Sequence, residues 1–533
     1  MSLKLEMHAI RLVRASLFFL IPFSAFAGAG ENSLLIQAVK DANQEAVKSL
    51  LQRGASANAK QTDGTTALAW AVSRNDVEIA KLLISAGADV KAVNRYGASP
   101  LLIACRNGGV AVVEELLKAG ADPNSALPEG ETAVMTAARE GNLEVVRALY
   151  RAGANVNARE SWHNQTALMW AAAGNYSAEI ETLKELGADL NARSDGGFTP
   201  FLFAVREGHL EAVQALLKLG ANVNDTIQPQ KAPPSARMPA NYIDNNVNRG
   251  RMINAVSGAP MRPAGPGGTS ALILAMANAH FALAKYLIEQ GADVDAAAQG
   301  WSPLIQLEYV RRPNHGKGLP PPEAIDSFDS LELAKILLAK GADPNARQAK
   351  EINDGQRNYQ NRVGATAFFL AAKHADIPMM RLLAEHGADP LIKTEDGTTA
   401  LAAAAGVGIW NVGESAGTNE EAFEAVKLAY KLGCRDVNMA DIFGYGPLHG
   451  AALRGSPEII QFLVDKGADL TAKTKDEKWT ALRIADGVYY TGTVKRGREA
   501  GALLRKLLEA RGLPVPEFRD DVDYGIAHQQ VAP

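Results

Sequence analysis

The sequence predicts an all-α chain that is built from about twelve repeated pairs of short helices, stacked in a row. One observation is a Gly-Ala-Asp element, or a close variant of it, which returns every 33 or 34 residues through the first six units. Another is that each interval holds two apolar stretches with the spacing of a helix. The repeated glycines are Gly54, Gly87, Gly120, Gly153, Gly187, Gly220, Gly291, Gly341, Gly387, Gly433, Gly467 and Gly512. Because no single pair can bury its own apolar side, stacked neighbours must supply the core.

Each unit carries the start and stop signals of two helices. A threonine or serine, as at Thr66 and Ser99, precedes an apolar run and can accept a hydrogen bond from a free N–H at a helix start. Proline, as at Pro100 and Pro447, suits the first helical position because no donor is needed there. The glycine after the second helix predicts a left-handed cap, which favours a residue without Cβ.

The repeated unit resembles the ankyrin repeat. The matching elements are Thr-Pro/Ala-Leu at the first helix and Gly-Ala-Asp-x-Asn after the second, and the likeness covers residues 31 to about 512. Only Leu448-His449 keeps the family's histidine after leucine, and alanine often replaces the proline. The resemblance implies an α-solenoid with β-hairpin-like fingers and a concave surface that binds another protein.

Intervals longer than the period define the domain organisation. We expect repeats 1 to 6 over 31–224, a Pro/Asn-rich inserted loop over 225–267, repeats 7 to 12 over 268–512 and a loosely held tail over 513–533. Four shorter inserts are predicted at 311–328, 348–362, 406–419 and 487–498. The second of these falls on the finger edge, whereas the other three fall between the two helices of repeats 8, 10 and 12.

The first 27 residues have the order of a secretory signal peptide. Basic residues precede an apolar run at 16–23, and Ala25-Phe26-Ala27 places small residues where a signal peptidase cleaves. The run is too short to span a bilayer, which takes about 20 residues. We expect cleavage near Ala27, export to the periplasm or the medium, and no transmembrane segment.

Composition and charge exclude several classes of protein. Hydrophobic residues make up 47% of the chain, which is enough for a large core and excludes a disordered chain. The formal net charge of −4 gives no indication of nucleic-acid binding. Two cysteines, Cys105 and Cys434, exclude a disulfide framework, and their separation by seven repeats excludes a bridge between them in a regular stack.

Signatures of catalysis and of metal binding are weak or missing. Residues 413–417 match the G-x-S-x-G pattern, but they lie in an insert of a helical array and not between a strand and a helix. The histidines form no close metal-ligand spacing, and no phosphate-binding or dinucleotide-binding glycine loop occurs. We therefore expect no enzyme activity, no cofactor and no metal site.

The inserts of repeats 8, 10 and 12 predict one composite site. Alternate repeats lie about 20 Å apart, so inserts of this length can touch one another. Arginine and aromatic side chains are enriched at binding hot spots. The candidate residues are Arg311, Arg312, Asn314, His315, Trp410, Glu414, Tyr489 and Tyr490. The alternative interpretation is surface insertion that is tolerated without any partner.

Aromatic residues of the fingers form a second candidate surface. Each lies just before the residue that opens a helix, and exposure on successive fingers would create an apolar stripe. These residues are Tyr96, Trp162, Phe198, Trp301, Phe443, Tyr445 and Trp479. The alternative is local packing against the neighbouring finger.

Together these patterns favour a monomeric scaffold of the cell envelope, which binds a protein partner through its concave face, fingers and inserts. Two alternatives stay open. The first is an enzyme or a small-ligand protein whose site is built from the inserts of repeats 8, 10 and 12, with His315 near Glu414 or Ser415 in a shared pocket. The second is an effector that is secreted into the medium.

Overall fold

The computed structural model describes residues 24–228, 267–312, 327–350, 361–409, 417–490, 493–518 and 521–523, together with the backbone of 252–253 and 260–261. Side chains are described from Gly30 onward. The predicted cleavage site at Ala27 lies within the first helix, which begins at Ser24. Export and cleavage stay predictions.

The chain divides into two compact units, and each is a stack of helix pairs. The first unit ends at Asp195 and also contains Thr199–Ala204 and Glu211–Gly220. The second contains Gly196–Phe198, Val205–Leu210 and the chain from Ala221 onward. This confirms the predicted all-α array, with two helices in each of twelve repeats over the described residues.

The helices of the first six repeats are short, and most contain seven to nine residues. Their bounds are α1 Ser24–Lys40, α2 Gln44–Gln52, α3 Ala67–Ser73, α4 Val77–Ser85, α5 Pro100–Asn107, α6 Val110–Lys118, α7 Ala133–Arg139, α8 Leu143–Arg151, α9 Ala167–Ala173, α10 Ser177–Glu185, α11 Pro200–Glu207 and α12 Leu210–Lys218. The odd-numbered helix of each pair is the first helix of its repeat.

The helices of repeats 7 to 12 continue the same alternation. Their bounds are α13 Ala271–Ala277, α14 Phe281–Glu289, α15 Pro303–Arg311, α16 Ser330–Ala339, α17 Ala367–Lys373, α18 Ile377–Glu385, α19 Ala400–Ala405, α20 Asn419–Lys431, α21 Pro447–Arg454, α22 Pro457–Asp465, α23 Ala481–Gly487 and α24 Arg498–Ala510. The turns of repeats 8, 10 and 12 are the long ones.

Two short antiparallel strand pairs interrupt the helical array. Strands β1 Met252–Ile253 and β2 Pro260–Met261 pair within segment 225–267, which the sequence predicts to be irregular. Strands β3 Val488–Tyr490 and β4 Thr493–Lys495 form a hairpin between α23 and α24, with Tyr489 opposite Val494. The insert of repeat 12 is therefore a hairpin.

Helix caps follow the sequence signals. The Thr66 hydroxyl accepts a hydrogen bond from the Ala69 N–H at 3.1 Å, and Ser99 serves Leu102 in the same way at 3.3 Å. Gly87, which follows α4, has φ +85°, a left-handed conformation that an L side chain rarely adopts. Local chemistry thus fixes where each helix begins and ends.

An asparagine ladder joins neighbouring repeats and explains the last residue of the Gly-Ala-Asp-x-Asn element. In the first unit the Asn58 amide donates to the Gly87 carbonyl at 3.1 Å and accepts from the Asp89 N–H at 2.7 Å. In the second unit Asn345 forms the same two bonds, to Gly387 at 3.0 Å and from Asp389 at 2.7 Å. One amide side chain therefore satisfies a helix-end carbonyl and a turn N–H of the next repeat.

The core runs along the first helices. In the first unit α3, α5, α7 and α9 pack in succession, and in the second unit α13 to α23 do so through their odd-numbered members. Alanine keeps these helices close, and all six residues of α19, ALAAAA, are buried. At about 25 cal/mol per Å² of buried apolar surface, this shared face is the main source of stability.

Candidate functional site

Four of the seven predicted finger aromatics are buried, so the expected exposed stripe is wrong for them. Trp301 is held by a hydrogen bond from its Nε1 to Gln306 Oε1 at 2.8 Å. Tyr445 packs edge-on against His449, with ring centroids 6.1 Å apart. Phe198 and Trp479 are also buried. These rings stabilise the fingers because their large apolar surface is removed from water.

Three finger aromatics are exposed, as expected. Tyr96 is 60% exposed and Trp162 is 73% exposed, and both lie in the first unit. Phe443, in the second unit, is 49% exposed. Their role in binding a partner stays a prediction, which now concerns three separate side chains and not a continuous stripe.

The turns that join the two helices of repeats 8 to 12 lie on one edge of the second unit, which we call the insert edge. Arg311 and Arg312, at the end of α15, have different roles there. The Arg311 Nε donates to the Asp376 carboxylate at 2.9 Å, and its Nη1 donates to the Ser330 hydroxyl at 2.6 Å. The Asp376 side chain is fully buried and the Arg311 side chain is largely buried. Arg311 therefore connects repeats 8 and 9 inside the fold and is not a surface anchor.

Arg312 reaches past repeat 9 to repeat 10. Both of its terminal nitrogens lie 3.1 Å from the Glu421 carboxylate, in the first turn of α20. Glu421 also accepts from the Thr418 N–H at 2.9 Å, which completes a capping box. The hydrogen bond from Arg312 lowers the pKa of Glu421. The inserts of repeats 8 and 10 are thereby connected.

The hairpin of repeat 12 touches the insert of repeat 10. The Tyr490 ring lies 5.5 Å from the ring of Tyr445. The backbone of Gly408 lies beside its hydroxyl, and burial raises the pKa of Tyr490. The carbonyl of the same Gly408 accepts from Lys373 Nζ at 3.4 Å. The described ends of these two inserts lie near each other here, and the composite site stays a prediction.

Tyr489 belongs to an edge strand that the C-terminal tail covers. Its N–H donates to the Asp523 carbonyl at 2.7 Å, and the Asp523 N–H donates to Gly487 at 3.1 Å. Val488 and Asp523 form a parallel bridge, while Arg483 lies 3.5 Å from the Asp523 carboxylate. The tail was expected to be loosely held, but Asp523 is bonded to the hairpin through this single bridge.

Four predicted site residues lie outside the described part of the chain. They are Asn314, His315, Trp410 and Glu414. The G-x-S-x-G match at 413–417 also lies there, except for its last glycine. Within the described residues, no group of three potential metal ligands comes together.

A buried acid and histidine lie beneath the insert edge. The fully buried Glu308 of α15 has one carboxyl oxygen 3.2 Å from Nδ1 of His374, which caps α17. Burial raises the pKa of Glu308 and lowers that of His374 to about 3. Both shifts disfavour charge, so we assign a neutral pair. The sequence gives no sign of this pair because its members lie 66 positions apart.

An open groove on the insert edge carries negative charge. Its volume is about 530 Å³. It lies where α18, α20 and α22 begin, and its lining residues are Ile377, Asn419, Glu420, Glu421, Phe423, Glu424 and Glu458. The run Asn-Glu-Glu at the start of α20 was a possible signal for it, although acidic residues in a first turn are also common for helix stability.

The two cysteines are buried free thiols. Burial raises the pKa of Cys105, and it raises that of Cys434 to about 11. Cys434 also donates to the Pro390 carbonyl at 3.2 Å. Because the thiolate is the reactive form, neither cysteine has the environment of a nucleophile.

None of the helices in the described ranges combines the length and the apolar character needed to cross a membrane. This finding concerns those ranges alone.

Comparison with known proteins identifies the repeat. The profile "Ankyrin repeats (3 copies)" matches residues 35–126, 112–194, 134–227 and 323–412, which together exceed half of the chain. The profiles "Ankyrin repeats (many copies)" and "Ankyrin repeat" match 432–485 and 267–298.

Several curated proteins share part of this array. A putative ankyrin repeat-containing protein of Treponema pallidum is 37% identical over 135 residues, which cover 25% of this chain and 35% of that protein. The chicken nuclear factor NF-kappa-B p105 subunit is 29% identical over 220 residues, 41% of this chain and 16% of that protein. The human transient receptor potential cation channel subfamily A member 1 is 26% identical over 317 residues, 57% of this chain and 27% of that protein.

The matches cover about a third or less of the length of these relatives. Among solved structures, the human ASB11 ankyrin repeat domain is similar, with 28% identity and a TM-score of 0.34 over 36% of this chain and 85% of that domain. Ankyrin repeats are in general modules that bind other proteins. The chain belongs to the ankyrin-repeat family.

Proposed function

We propose that this protein is a non-catalytic scaffold of the cell envelope, which binds a protein partner through the insert edge of its second unit. The observation that carries the proposal is the set of contacts between the inserts of repeats 8, 10 and 12. Arg312, at the end of α15, pairs with Glu421 in the first turn of α20, and the Tyr490 hydroxyl lies beside the backbone of Gly408. Inserts that fix one another form a preorganised surface, which reduces the entropy lost on binding.

The charge of the groove favours a partner with exposed lysine or arginine side chains. Glu420 and Glu424 are exposed on α20, and Glu458 of α22 lies across the groove. Phe423 adds an aromatic surface between these carboxylates. Complementary charge accelerates association and selects the partner, while the apolar ring contributes contact energy.

The test is affinity capture with the exported full-length chain, after chemical cross-linking in the cells that produce it. The variant reverses the charges of Glu420, Glu424 and Glu458 to lysine. We expect it to lose the captured partner, because three repulsive charges replace three attractive ones. A matched control reverses three exposed acids elsewhere on the same unit, which are Glu385, Glu395 and Glu509. Equal capture by the wild type and the groove variant contradicts the proposed surface.

The cellular location of the chain is tested in a separate experiment. We propose that the chain is exported after cleavage near Ala27, on the basis of the signal-like segment at 16–23. N-terminal sequencing of the protein from periplasmic and culture-medium fractions is expected to begin at Gly28. A chain that keeps its first 27 residues in the cytoplasm contradicts this part of the proposal. Recovery from the medium alone favours the secreted effector instead.

A further inference from the structure

Arg454 is a buried cation without a counter-ion in the described structure. It is the last residue of α21 and only 4% exposed. Its Nε and Nη1 are shielded from solvent and have no hydrogen-bond partner among the described residues. Burial lowers its pKa to about 10, so the guanidinium stays charged at neutral pH. An uncompensated buried charge is costly, and natural proteins pair such charges or neutralise them with a ligand.

Comparison with an equivalent position shows that this burial is specific. Arg454 is the eighth residue after the helix cap Gly446, and Arg74 is the eighth residue after the cap Thr66 in repeat 2. Arg74 is exposed, as expected for a turn on this edge. Repeat position therefore does not require a buried arginine. The neighbours of Arg454 in the second unit cover it.

Glycines on three repeats allow this close cover. A Cβ at Gly406 would lie 2.5 Å from the Gly450 carbonyl oxygen and 3.0 Å from Arg454 Cβ. A Cβ at Gly497, which precedes α24, would lie 3.1 Å from the Gly455 Cα. The turn after α19 and the end of the hairpin thus pack directly against the end of α21. The enclosure around Arg454 is built from tight backbone contacts and is absent at Arg74.

Buried ionisable groups in two other repeats of this unit already have partners. The Asp486 carboxylate of α23 accepts from Arg505 at 2.7 Å. At the equivalent turn of repeat 9, the buried His374 has its own partner in Glu308. Arg454, by contrast, has two shielded donors, Nε and Nη1, without a hydrogen-bond partner among the described residues. Its Nη2 is not among these shielded donors, and the residue keeps 4% of its surface exposed.

We propose that Arg454 binds a small oxyanion at the insert edge, namely a carboxylate or phosphoryl group whose oxygens accept hydrogen bonds from its guanidinium. The planar guanidinium matches both groups in geometry and charge, and enclosure strengthens the attraction by excluding water. The inference stands independently of the acidic groove, which lies at the start of α20 and α22 and would attract the opposite charge.

The experiment is thermal unfolding of the full-length chain in rising inorganic phosphate or acetate, with chloride holding ionic strength constant. We expect a saturable rise of a few degrees in Tm for the wild type with at least one anion, because a ligand that binds only the folded state stabilises it. Phosphate alone identifies a phosphoryl site, and acetate alone a carboxylate site. No saturable rise with either anion overturns the proposal.

Two variants separate binding from packing. Arg454→Met is expected to lose the anion response and to keep or exceed the wild-type Tm without anion, since an unpaired buried charge is removed. Arg74→Met is the matched control and is expected to keep the response. Arg454→Lys keeps the charge but loses the planar fork, and isothermal titration is expected to show about tenfold weaker binding. An undiminished anion response in Arg454→Met, or unchanged affinity in Arg454→Lys, overturns the proposal.

Discussion

Arg312 and Glu421 lie 109 positions apart in the sequence, yet the guanidinium of one donates to the carboxylate of the other at 3.1 Å. The bond spans repeat 9 and joins the end of α15 in repeat 8 to the first turn of α20 in repeat 10. It is a tertiary contact in an array whose other contacts lie mostly between adjacent repeats.

The Arg312–Glu421 pair is expected to contribute a modest coupling energy. A double-mutant cycle with Arg312→Ala and Glu421→Ala should give about 0.2–1 kcal/mol at neutral pH, since both side chains are partly exposed and screened by solvent. Because the folded pKa of Glu421 is lowered, this stability is present above its unfolded pKa and is lost as pH falls through the folded pKa. Chemical unfolding at several pH values measures it. A coupling that grows on acidification contradicts the assignment.

Asp376 is expected to be far more sensitive to substitution than a comparable cap. It caps α18 by accepting from the Met379 N–H and also pairs with Arg311. Asp376→Ala leaves the largely buried Arg311 without its counter-ion, at a cost of about 3–5 kcal/mol. The control Asp76→Ala removes a cap that serves Ile79, at a cost of about 0.5–2 kcal/mol. Hydrogen exchange of α18 and α4 gives the two local stabilities. Equal costs would show that the ion pair adds nothing.

Glu308→Gln is expected to be almost neutral for stability at pH 7. The glutamine side-chain oxygen can accept from Nδ1 of His374 as the carbonyl oxygen of the neutral acid does, and no charge is removed when the pair is uncharged. A charged pair would instead lose about 3–5 kcal/mol when one ion is removed. Urea unfolding of the variant and of the wild type distinguishes the two cases. His374→Gln is the companion variant.

His374 also predicts the direction of one pH effect. Its folded pKa of about 3 lies below the usual value, so its contribution is present above the unfolded pKa near 6.5. The contribution is lost as pH falls from there towards 3, because the unfolded chain takes up the proton first. His374→Gln should therefore weaken the acid sensitivity of α17. Unchanged acid sensitivity of α17 in hydrogen exchange would contradict this sign.

Asp441 is expected to make its finger less stable as pH rises. Burial raises the pKa of this carboxyl to about 6, although Phe443 and Tyr445 donate N–H bonds to it. Stability should fall between about pH 4 and pH 6 and stay level above, by at most about 3 kcal/mol. Asp441→Asn keeps the acceptor and should remove the slope. Exchange rates of the Phe443 and Tyr445 amides, corrected for intrinsic rates, measure it.

Asp63, in the finger before repeat 2, provides the opposite control. A hydrogen bond from the Thr65 backbone lowers its pKa, so its contribution is lost as pH falls. The exchange rate of the Thr65 amide should therefore show a pH dependence of the opposite sign. Asp63→Asn should reduce that dependence. Slopes of the same sign in the two fingers would contradict the assignment for Asp441.

The sequence by itself determined the repeat and its local chemistry. The helix starts at Thr66 and Ser99, the left-handed Gly87 and the positions of the long turns all follow from residues close together in the chain. The reason is physical: caps and turns satisfy backbone groups within one or two turns of helix, so neighbouring residues encode them. The asparagine ladder also has a sequence motif, the Gly-Ala-Asp-x-Asn element, but only the structure shows its hydrogen bonds.

Only the tertiary structure decided what the side chains of the insert edge do. Arg311 and Arg312 are adjacent in sequence. Arg311 nevertheless forms a buried ion pair with Asp376, whereas Arg312 forms a partly exposed ion pair with Glu421. Trp301 is buried and Trp162 is exposed, though both precede a helix start. Arg454 is enclosed and Arg74 is not. Such differences arise because burial at a turn depends on which distant inserts pack over it, and a repeat pattern carries no record of those contacts.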